Sequence, residues 1–183
     1  MSNITLAVTG SIAAYKAADL LSVLTKQNHQ VTVVMTKAAT QFITPLTLQV
    51  LSKHKVHVDI MDEARPEVVN HIDLAKKTEI FVVAPATANT IAHLAHGEAG
   101  DLVCAIALAL PPHVAKFVAP AMNTQMYAHP LTTLNLKTLE NIGFEIIAPK
   151  KALLACGDYG EGALRDPQDI AQIIHQKSKE MSI

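Results

Sequence analysis

The sequence predicts an α/β fold, a three-layer sandwich in which helices cover both faces of a central parallel sheet. Short runs rich in β-branched residues alternate with longer stretches of helical character, as βαβ units require. Several of these runs are apolar almost throughout, which is typical of parallel strands buried on both faces. The chain has 183 residues, of which 50% are hydrophobic, so one domain can bury a sizeable core.

Five segments are predicted as strands: ITLAV (4–8), VTVVM (31–35), IFVVA (80–84), VAKFVA (114–119) and FEIIA (144–148). Helices are predicted at 12–28, after the Thr44-Pro45 cap, at 89–96, at 101–110 and at 167–178, and a short helical stretch is predicted after His71. Gly97 stops the third of these helices. The fourth places Cys104 in the core, because its residues are apolar on every side.

The segment from Pro149 to Pro167 lacks any helical or strand period, and it is predicted as a long loop. Its glycines, at positions 157, 160 and 162, would break a helix. Loops longer than about 12 residues inside compact domains are uncommon and often form lids or binding loops. Cys156 lies in this segment, which makes the loop a functional candidate.

The composition favours a small molecule as the binding partner of this protein. The net charge is −1 with Lys and Arg scattered, so neither a nucleic-acid footprint nor a polybasic membrane patch is expected. The N-terminus has no signal-peptide pattern, and no apolar run approaches the roughly 20 residues that cross a bilayer. Two cysteines without metal-type spacing predict free thiols and a cytoplasmic location.

Three predicted strands end in polar residues that could bind an anion. Thr9-Gly10-Ser11 leads from the first strand into a helix, Thr36 follows the second, and Thr87, Asn89 and Thr90 follow the third. Carboxyl ends of parallel strands face one crevice, so these groups could converge on a phosphorylated ligand. The dinucleotide pattern G-x-G-x-x-G is absent, and a plain capped turn explains Ser11 equally well.

Other polar residues are ambiguous from the residues alone. Asn123, between two methionines after the fourth strand, could bind a substrate carboxylate or simply form a turn. His71 is one of nine histidines, and most histidines have no catalytic role. No metal site is predicted at His93 and His96, or at His54 and His57, because no carboxylate or cysteine pattern completes one.

The motifs TGSIAAYK, NHIDLAKK, APATANT, PAMNTQMY and LACGDYGEGAL together resemble those of the flavin-dependent cysteine decarboxylases. The resemblance runs from about Ile4 to the last helix. It implies one flavodoxin-like or Rossmann-like domain over 1–183 that binds FMN, with a substrate flap at about 150–166. It also implies a homotrimer, or multiples of trimers, with the flavin near a subunit interface.

The resemblance also implies which residues form the site. His71 and Cys156 would be catalytic, and no metal is implied. Substrate would contact Asn123, Ala121, Met122, Met126, Gly157 and Asp158. FMN would contact Gly10, Ser11, Ile12, Thr36, Thr87, Ala88, Asn89, Thr90 and Ala121. Two positions depart from the family: Asp73 replaces a glutamate near the histidine, and Tyr127 replaces a tryptophan found in some members.

The implied activity is decarboxylation of 4'-phosphopantothenoylcysteine to 4'-phosphopantetheine in coenzyme A biosynthesis. FMN would oxidise the substrate to a thioaldehyde, CO2 would leave, and the resulting enethiol would be reduced. The alternatives are a peptidyl-cysteine decarboxylase, which needs no reducing cysteine, and a non-catalytic flavin-binding regulatory protein. The chain is expected to be a stand-alone decarboxylase, with a separate phosphopantothenate-cysteine ligase as a possible partner.

Overall fold

A computed structural model describes residues 1–63 and 67–181. Five parallel strands form the central sheet in the order β2-β1-β3-β4-β5. They are β1 (Asn3–Val8), β2 (Gln30–Met35), β3 (Ile80–Ala86), β4 (Ala115–Pro120) and β5 (Phe144–Ile146). Each coincides with a segment predicted as a strand to within two residues at either end, with β5 ending two residues early, and the predicted fold class is confirmed.

Helices cover both faces of this sheet. They are α1 (Lys16–Lys26), α2 (Pro45–Ser52), α3 (Asn70–Lys77), α4 (Ala88–His96), α5 (Leu102–Ala109), α6 (Thr124–Ala128), α7 (Pro130–Asn141) and α8 (Pro167–Glu180). A 3-10 turn, Ile12–Tyr15, precedes α1, so the predicted helix at 12–28 begins as a 3-10 turn. Helices α6 and α7 were not predicted. In the described part of the chain, no helix is long and apolar enough to span a bilayer.

The sheet separates two hydrophobic cores. Alternate side chains of each strand point to opposite faces, so Leu6 and Val82 lie in one core while Ala7 and Val83 lie in the other. Helices α1, α2 and α8 cover the first core, and α3, α4, α5 and α7 cover the second. All seven residues of β3 are buried, which explains why its sequence is apolar without alternation.

Several helix starts follow the predicted capping chemistry. The Ser11 side chain accepts a hydrogen bond from the Ala13 amide, and Thr44 and Thr87 cap α2 and α4 in the same way. Gly97 ends α4 in the left-handed conformation. Cys104 is buried as predicted, and burial together with the nearby Asp101 carboxylate raises the pKa of its thiol to about 12.

The prediction of a structureless loop from Pro149 to Pro167 is wrong. This segment contains an antiparallel hairpin of β6 (Lys150–Leu153) and β7 (Tyr159–Ala163), closed at its base by the Lys150–Asp166 ion pair. The glycines of β7 have a low strand propensity, which is why the sequence predicts a loop. In the structure they let β7 pack closely against the residues before and in α6. A Cβ at Gly160 would lie 2.5 Å from Thr124 Oγ1.

A pair of histidines links the start of the chain and the residue before β2 to α8. His29 is buried, accepts a hydrogen bond from the Ser2 amide, and lies with its Nε2 3.0 Å from Nδ1 of His175. Burial, the neighbouring His175 and the N-terminal ammonium lower the pKa of His29 below its usual 6.5. The folded protein therefore takes up this proton less readily than the unfolded chain.

This pair predicts acid sensitivity. The contribution of His29 to the free energy of unfolding should be complete above about pH 6.5 and should decrease as pH falls from there through the lower folded-state pKa. Thermal unfolding of the wild type and of His29→Gln between neutral and mildly acidic pH tests this. The wild-type Tm should fall more steeply than that of the variant, whereas parallel curves would contradict the assignment.

Candidate active site

The polar strand ends converge at the carboxyl edge of the sheet, as predicted. One cavity of about 460 Å³ is lined by Gly10, Thr36, Thr87, Asn89 and Thr90, together with residues of 58–60 and 100–102. Thr36 Oγ1 accepts a hydrogen bond from the Ala39 amide at 3.2 Å, and Thr87 Oγ1 accepts one from the Thr90 amide at 3.2 Å. The cavity thus has hydroxyl, amide and helix N-terminal groups along one wall.

Gly10 is required by the packing of this wall. A Cβ at this position would lie 2.5 Å from the Cβ of Ala38, so any side chain would force β1 and the turn after β2 apart. Thr9 joins the neighbouring strand ends, because its hydroxyl donates to the Pro85 carbonyl at 2.7 Å and accepts from the Thr87 amide at 3.0 Å. At Gly10 and Ala38 the wall of the cleft is therefore backbone and small side chains, which lets a ligand approach closely.

A second cavity, of about 340 Å³, adjoins the first at the Gly10–Ser11 turn. It is more apolar, and the hairpin covers it. Among its lining residues are the predicted contacts Ser11, Ile12, Ala121, Met122, Asn123 and Cys156. Lys16 also lines it, which the sequence alone did not indicate, because only the 3-10 turn before α1 brings this cation to the cavity.

Asn123, Cys156 and Asp158 form a hydrogen-bonded group at this cavity. The Asn123 amide nitrogen donates to Cys156 Sγ at 3.4 Å and to Asp158 Oδ2 at 3.1 Å. Its Oδ1 accepts a hydrogen bond from the Gln125 amide at 2.8 Å, so Asn123 caps α6. Its NH2 group points to the β6–β7 hairpin, which is the segment predicted as the flap. Cys156 Sγ in turn donates to Asp158 Oδ2 at 3.4 Å.

The hairpin is attached to the main domain beside this group. The Met122 amide donates to the Gly162 carbonyl at 2.9 Å, which ties β7 to the residue preceding Asn123. At the tip, Gly157 has a φ of 90° and its amide donates to the Leu154 carbonyl. This tight turn leaves the Cys156 thiol exposed at the end of the hairpin.

Five of the predicted site residues line neither cavity: Gly157 and Asp158 in the turn of the hairpin, and Ala88, Met126 and His71 in helices. Met126, in α6, is half exposed, and His71 is the second residue of α3 and lines neither cavity. His71 Nδ1 is buried and has no hydrogen-bond partner among the described residues. Asp73, which replaces the family's glutamate, pairs with Lys77 at 2.7 Å. A single chain therefore assembles Asn123, Cys156 and Asp158, but not His71.

The five-stranded parallel sheet, with its cleft of helix N-termini and hydroxyls, defines a nucleotide-binding α/β protein of the flavodoxin-like kind. Residues 1–179 match the family model described as Flavoprotein, and the chain belongs to this family. The resemblance and the flavin cofactor class predicted from the sequence motifs are thereby confirmed.

Curated relatives share most of this chain. The probable phosphopantothenoylcysteine decarboxylase of Streptococcus mutans serotype c is 57% identical over 174 residues, which cover 95% of this chain and 97% of the relative. The coenzyme A biosynthesis bifunctional protein CoaBC of Bacillus subtilis is 43% identical over 171 residues. The chain spans only 42% of that longer protein.

Solved structures agree with the fold. A cysteine-to-serine mutant of a PPC decarboxylase complexed with pantothenoylaminoethenethiol superposes with a TM-score of 0.89 at 33% identity, covering 97% of this chain and 98% of that one. The FMN binding protein AtHal3 superposes with a TM-score of 0.86, also at 33% identity, covering 98% and 97% of the two chains.

Proposed function

We propose that this protein decarboxylates 4'-phosphopantothenoylcysteine to 4'-phosphopantetheine with bound FMN, in coenzyme A biosynthesis. One observation carries the proposal: the hydrogen-bonded group of Asn123, Cys156 and Asp158 lies at a cavity that adjoins a flavin-sized cleft. The curated relative from Streptococcus, matched over nearly its whole length, supports this substrate. We treat residues 1–183 as one FMN-binding domain with its flap at about 150–166.

The residues of the cleft fit FMN. Gly10, Thr36, Thr87, Asn89 and Thr90 provide amides and hydroxyls for the phosphate and ring edges, Ser11, Ile12 and Ala121 form the adjoining wall, and Ala88 begins α4 beside Thr87. When bound, FMN supplies the oxidation of the substrate's CH2–S group that makes loss of CO2 possible, and the later reduction. The protein's own groups bind, orient and donate protons.

Asn123 would hold the substrate carboxylate. Its amide N–H groups now donate to the Asp158 carboxylate and the Cys156 thiol, which are the same kinds of group that a cysteinyl substrate carries. Met122, Met126 and Gly157 would enclose the substrate, and His71 would bind its carboxylate or act as a base. Closure of the flap over bound substrate would exclude water from the cavity.

Cys156 would donate the proton that completes reduction of the enethiol. The thiol hydrogen now points to Asp158, and an exposed hairpin tip can deliver it to a bound substrate. The ligand named in the solved cysteine-to-serine relative, pantothenoylaminoethenethiol, is an enethiol. This favours the reductive reaction over a peptidyl-cysteine decarboxylase, which would stop at that stage.

We further propose a homotrimer, or multiples of trimers, in which the active site is shared between subunits. The buried, unpartnered Nδ1 of His71, away from both cavities of its own chain, supports a site that a second copy completes. The two free cysteines agree with a cytoplasmic location. A separate phosphopantothenate-cysteine ligase would supply the substrate.

Subunit mixing tests the shared site. The variants His71→Asn and Cys156→Ser should each fail to make 4'-phosphopantetheine. Equal co-expression of the two should restore about a quarter of wild-type activity. In random assembly, about a quarter of the sites receive an intact His71 from one subunit and an intact Cys156 from the other. Product is measured by mass spectrometry. If each site used His71 and Cys156 of one chain, co-expressed variants would stay inactive.

The function itself is tested with the purified holoprotein. Its absorption spectrum should show bound flavin, and addition of 4'-phosphopantothenoylcysteine should release CO2 and 4'-phosphopantetheine in equal amounts. Flavin with turnover only of a peptide ending in cysteine would replace the substrate assignment. Flavin without turnover of either substrate would favour a binding or regulatory role.

A further inference from the structure

A second group of ligating side chains lies at the connection between α4 and α5, at the edge of the first cavity. His93, Asp101 and Cys104 each place one nitrogen, oxygen or sulfur atom within 4.8 Å of the other two. Glu98 lies beside this group but is not one of the mutually close residues: its Oε2 is 3.6 Å from His93 Nε2, and its side chain is exposed. In the structure His93 therefore lies close to Asp101 and Cys104, and His96 is not part of the group.

The fold brings these groups together through the end of one helix and the start of the next. Gly97 ends α4 in the left-handed conformation, and the chain returns so that Asp101 caps α5. His96 is directed elsewhere, because its Nδ1 lies 2.8 Å from the Ala92 carbonyl oxygen of its own helix. The end of α4 therefore positions His93, and the start of α5 positions Asp101 and Cys104.

The donor atoms remain available for a metal ion. Asp101 Oδ1 accepts the Cys104 amide hydrogen at 2.9 Å, and the carboxylate keeps further lone pairs on both oxygens. The Cys104 side chain is 1% exposed, while His93 and Glu98 are partly exposed and leave a path from solvent. Zn²⁺ would displace the proton of the Cys104 thiol, and the resulting thiolate, with one imidazole and two carboxylates, matches the ligand types and number of a tetrahedral zinc site.

We propose that His93, Asp101 and Cys104 bind one Zn²⁺ ion per chain, and that the exposed Glu98 side chain turns in from beside His93 as the fourth ligand. A mixed sulfur, nitrogen and oxygen set favours Zn²⁺ over Mg²⁺ or Ca²⁺, which prefer oxygen alone. The ion would cross-link α4 to α5. Because Asp101 also lines the first cavity, the zinc site would reinforce one wall of the flavin cleft.

Zinc titration of the holoprotein tests the proposal. Protein made without a polyhistidine tag and treated with a chelator should bind one Zn²⁺ per chain in competition with a chromophoric indicator. His93→Ala should weaken binding by at least the roughly 10–100-fold that loss of an outer-shell ligand partner costs. His96→Ala is the matched control, since it removes a histidine from the same helix outside the group, and it should bind as the wild type does.

Cobalt provides a second measurement that does not depend on a variant of the buried cysteine. Tetrahedral Co²⁺ absorbs in the red, beyond the flavin bands, and the wild type should show this absorption while His93→Ala should not. No binding, unchanged affinity in His93→Ala, equal losses in both histidine variants, or a cobalt spectrum without tetrahedral bands would each overturn the proposal.

Discussion

Replacement of Cys156 by serine should stop formation of 4'-phosphopantetheine while CO2 is still released, at one equivalent per flavin in the absence of O2. The thiol donates to Asp158 and receives a hydrogen bond from Asn123, so serine can occupy the same place in the hairpin. A hydroxyl is a much weaker acid than a thiol, whose ordinary pKa is about 8.5. Loss of a positioned general acid typically costs about 10²–10⁴-fold, and we expect a decrease of that size in reduced product.

The measurement is mass spectrometry of the products of Cys156→Ser with parallel detection of CO2. The enethiol, lighter than 4'-phosphopantetheine by two hydrogen atoms, should form in one equivalent per flavin without air. It should accumulate further only when dissolved O2 reoxidises the flavin. Lys151→Ala, an exposed position of β6 outside the flap tip, is the matched control and should complete both steps. Formation of 4'-phosphopantetheine by Cys156→Ser at the wild-type rate would show that another group donates the proton.

The sheet was predictable because its signals are local. An apolar β-branched run followed by a capping residue indicates a buried strand and the helix after it, and β1, β2 and β3 each follow this rule. Their order and register are not local properties. The convergence of Gly10, Thr36 and Thr87 on one cleft nevertheless follows from parallel pairing alone, since all carboxyl ends then share an edge.

The hairpin could not be predicted from propensity, because the contacts that stabilise it are distant in sequence. Gly160 packs against Thr124, and the Gly162 carbonyl accepts the Met122 amide hydrogen, across about forty residues. Local rules disfavour glycine in strands, whereas the packing here requires it. His71 was assigned only through the resemblance, because neither its local sequence nor the cavities of its own chain indicate a catalytic role.

Gly162→Ala should damage both stability and activity, because this glycine lies where β7 meets the loop before Asn123. Its φ of 148° is one that side chains rarely adopt, and an added Cβ would overlap the carbonyl oxygen of Met122. That obstacle is backbone, so it cannot rotate away as a flexible side chain would. The hairpin must shift, and the hydrogen bond from the Met122 amide to the Gly162 carbonyl must lengthen or break.

We expect a loss of about 1–3 kcal/mol in the free energy of unfolding, the usual cost of inserting atoms into a packed site. Activity should fall further, by about 10²-fold, because displacement of a reacting group by about 1 Å has that effect and Cys156 moves with the hairpin. Chemical denaturation and steady-state kinetics measure the two losses.

Gly143→Ala is the control that distinguishes the effect of backbone strain from the effect of steric overlap with the backbone of a neighbouring residue. Gly143 also has a left-handed φ, of 89°, but an added Cβ would meet only the flexible end of the Lys116 side chain, at 3.5 Å. This control should lose stability and keep its activity. If Gly162→Ala behaved in the same way, the hairpin would tolerate displacement, and the hydrogen-bonded group of Asn123, Cys156 and Asp158 would not need the attachment that Gly162 provides.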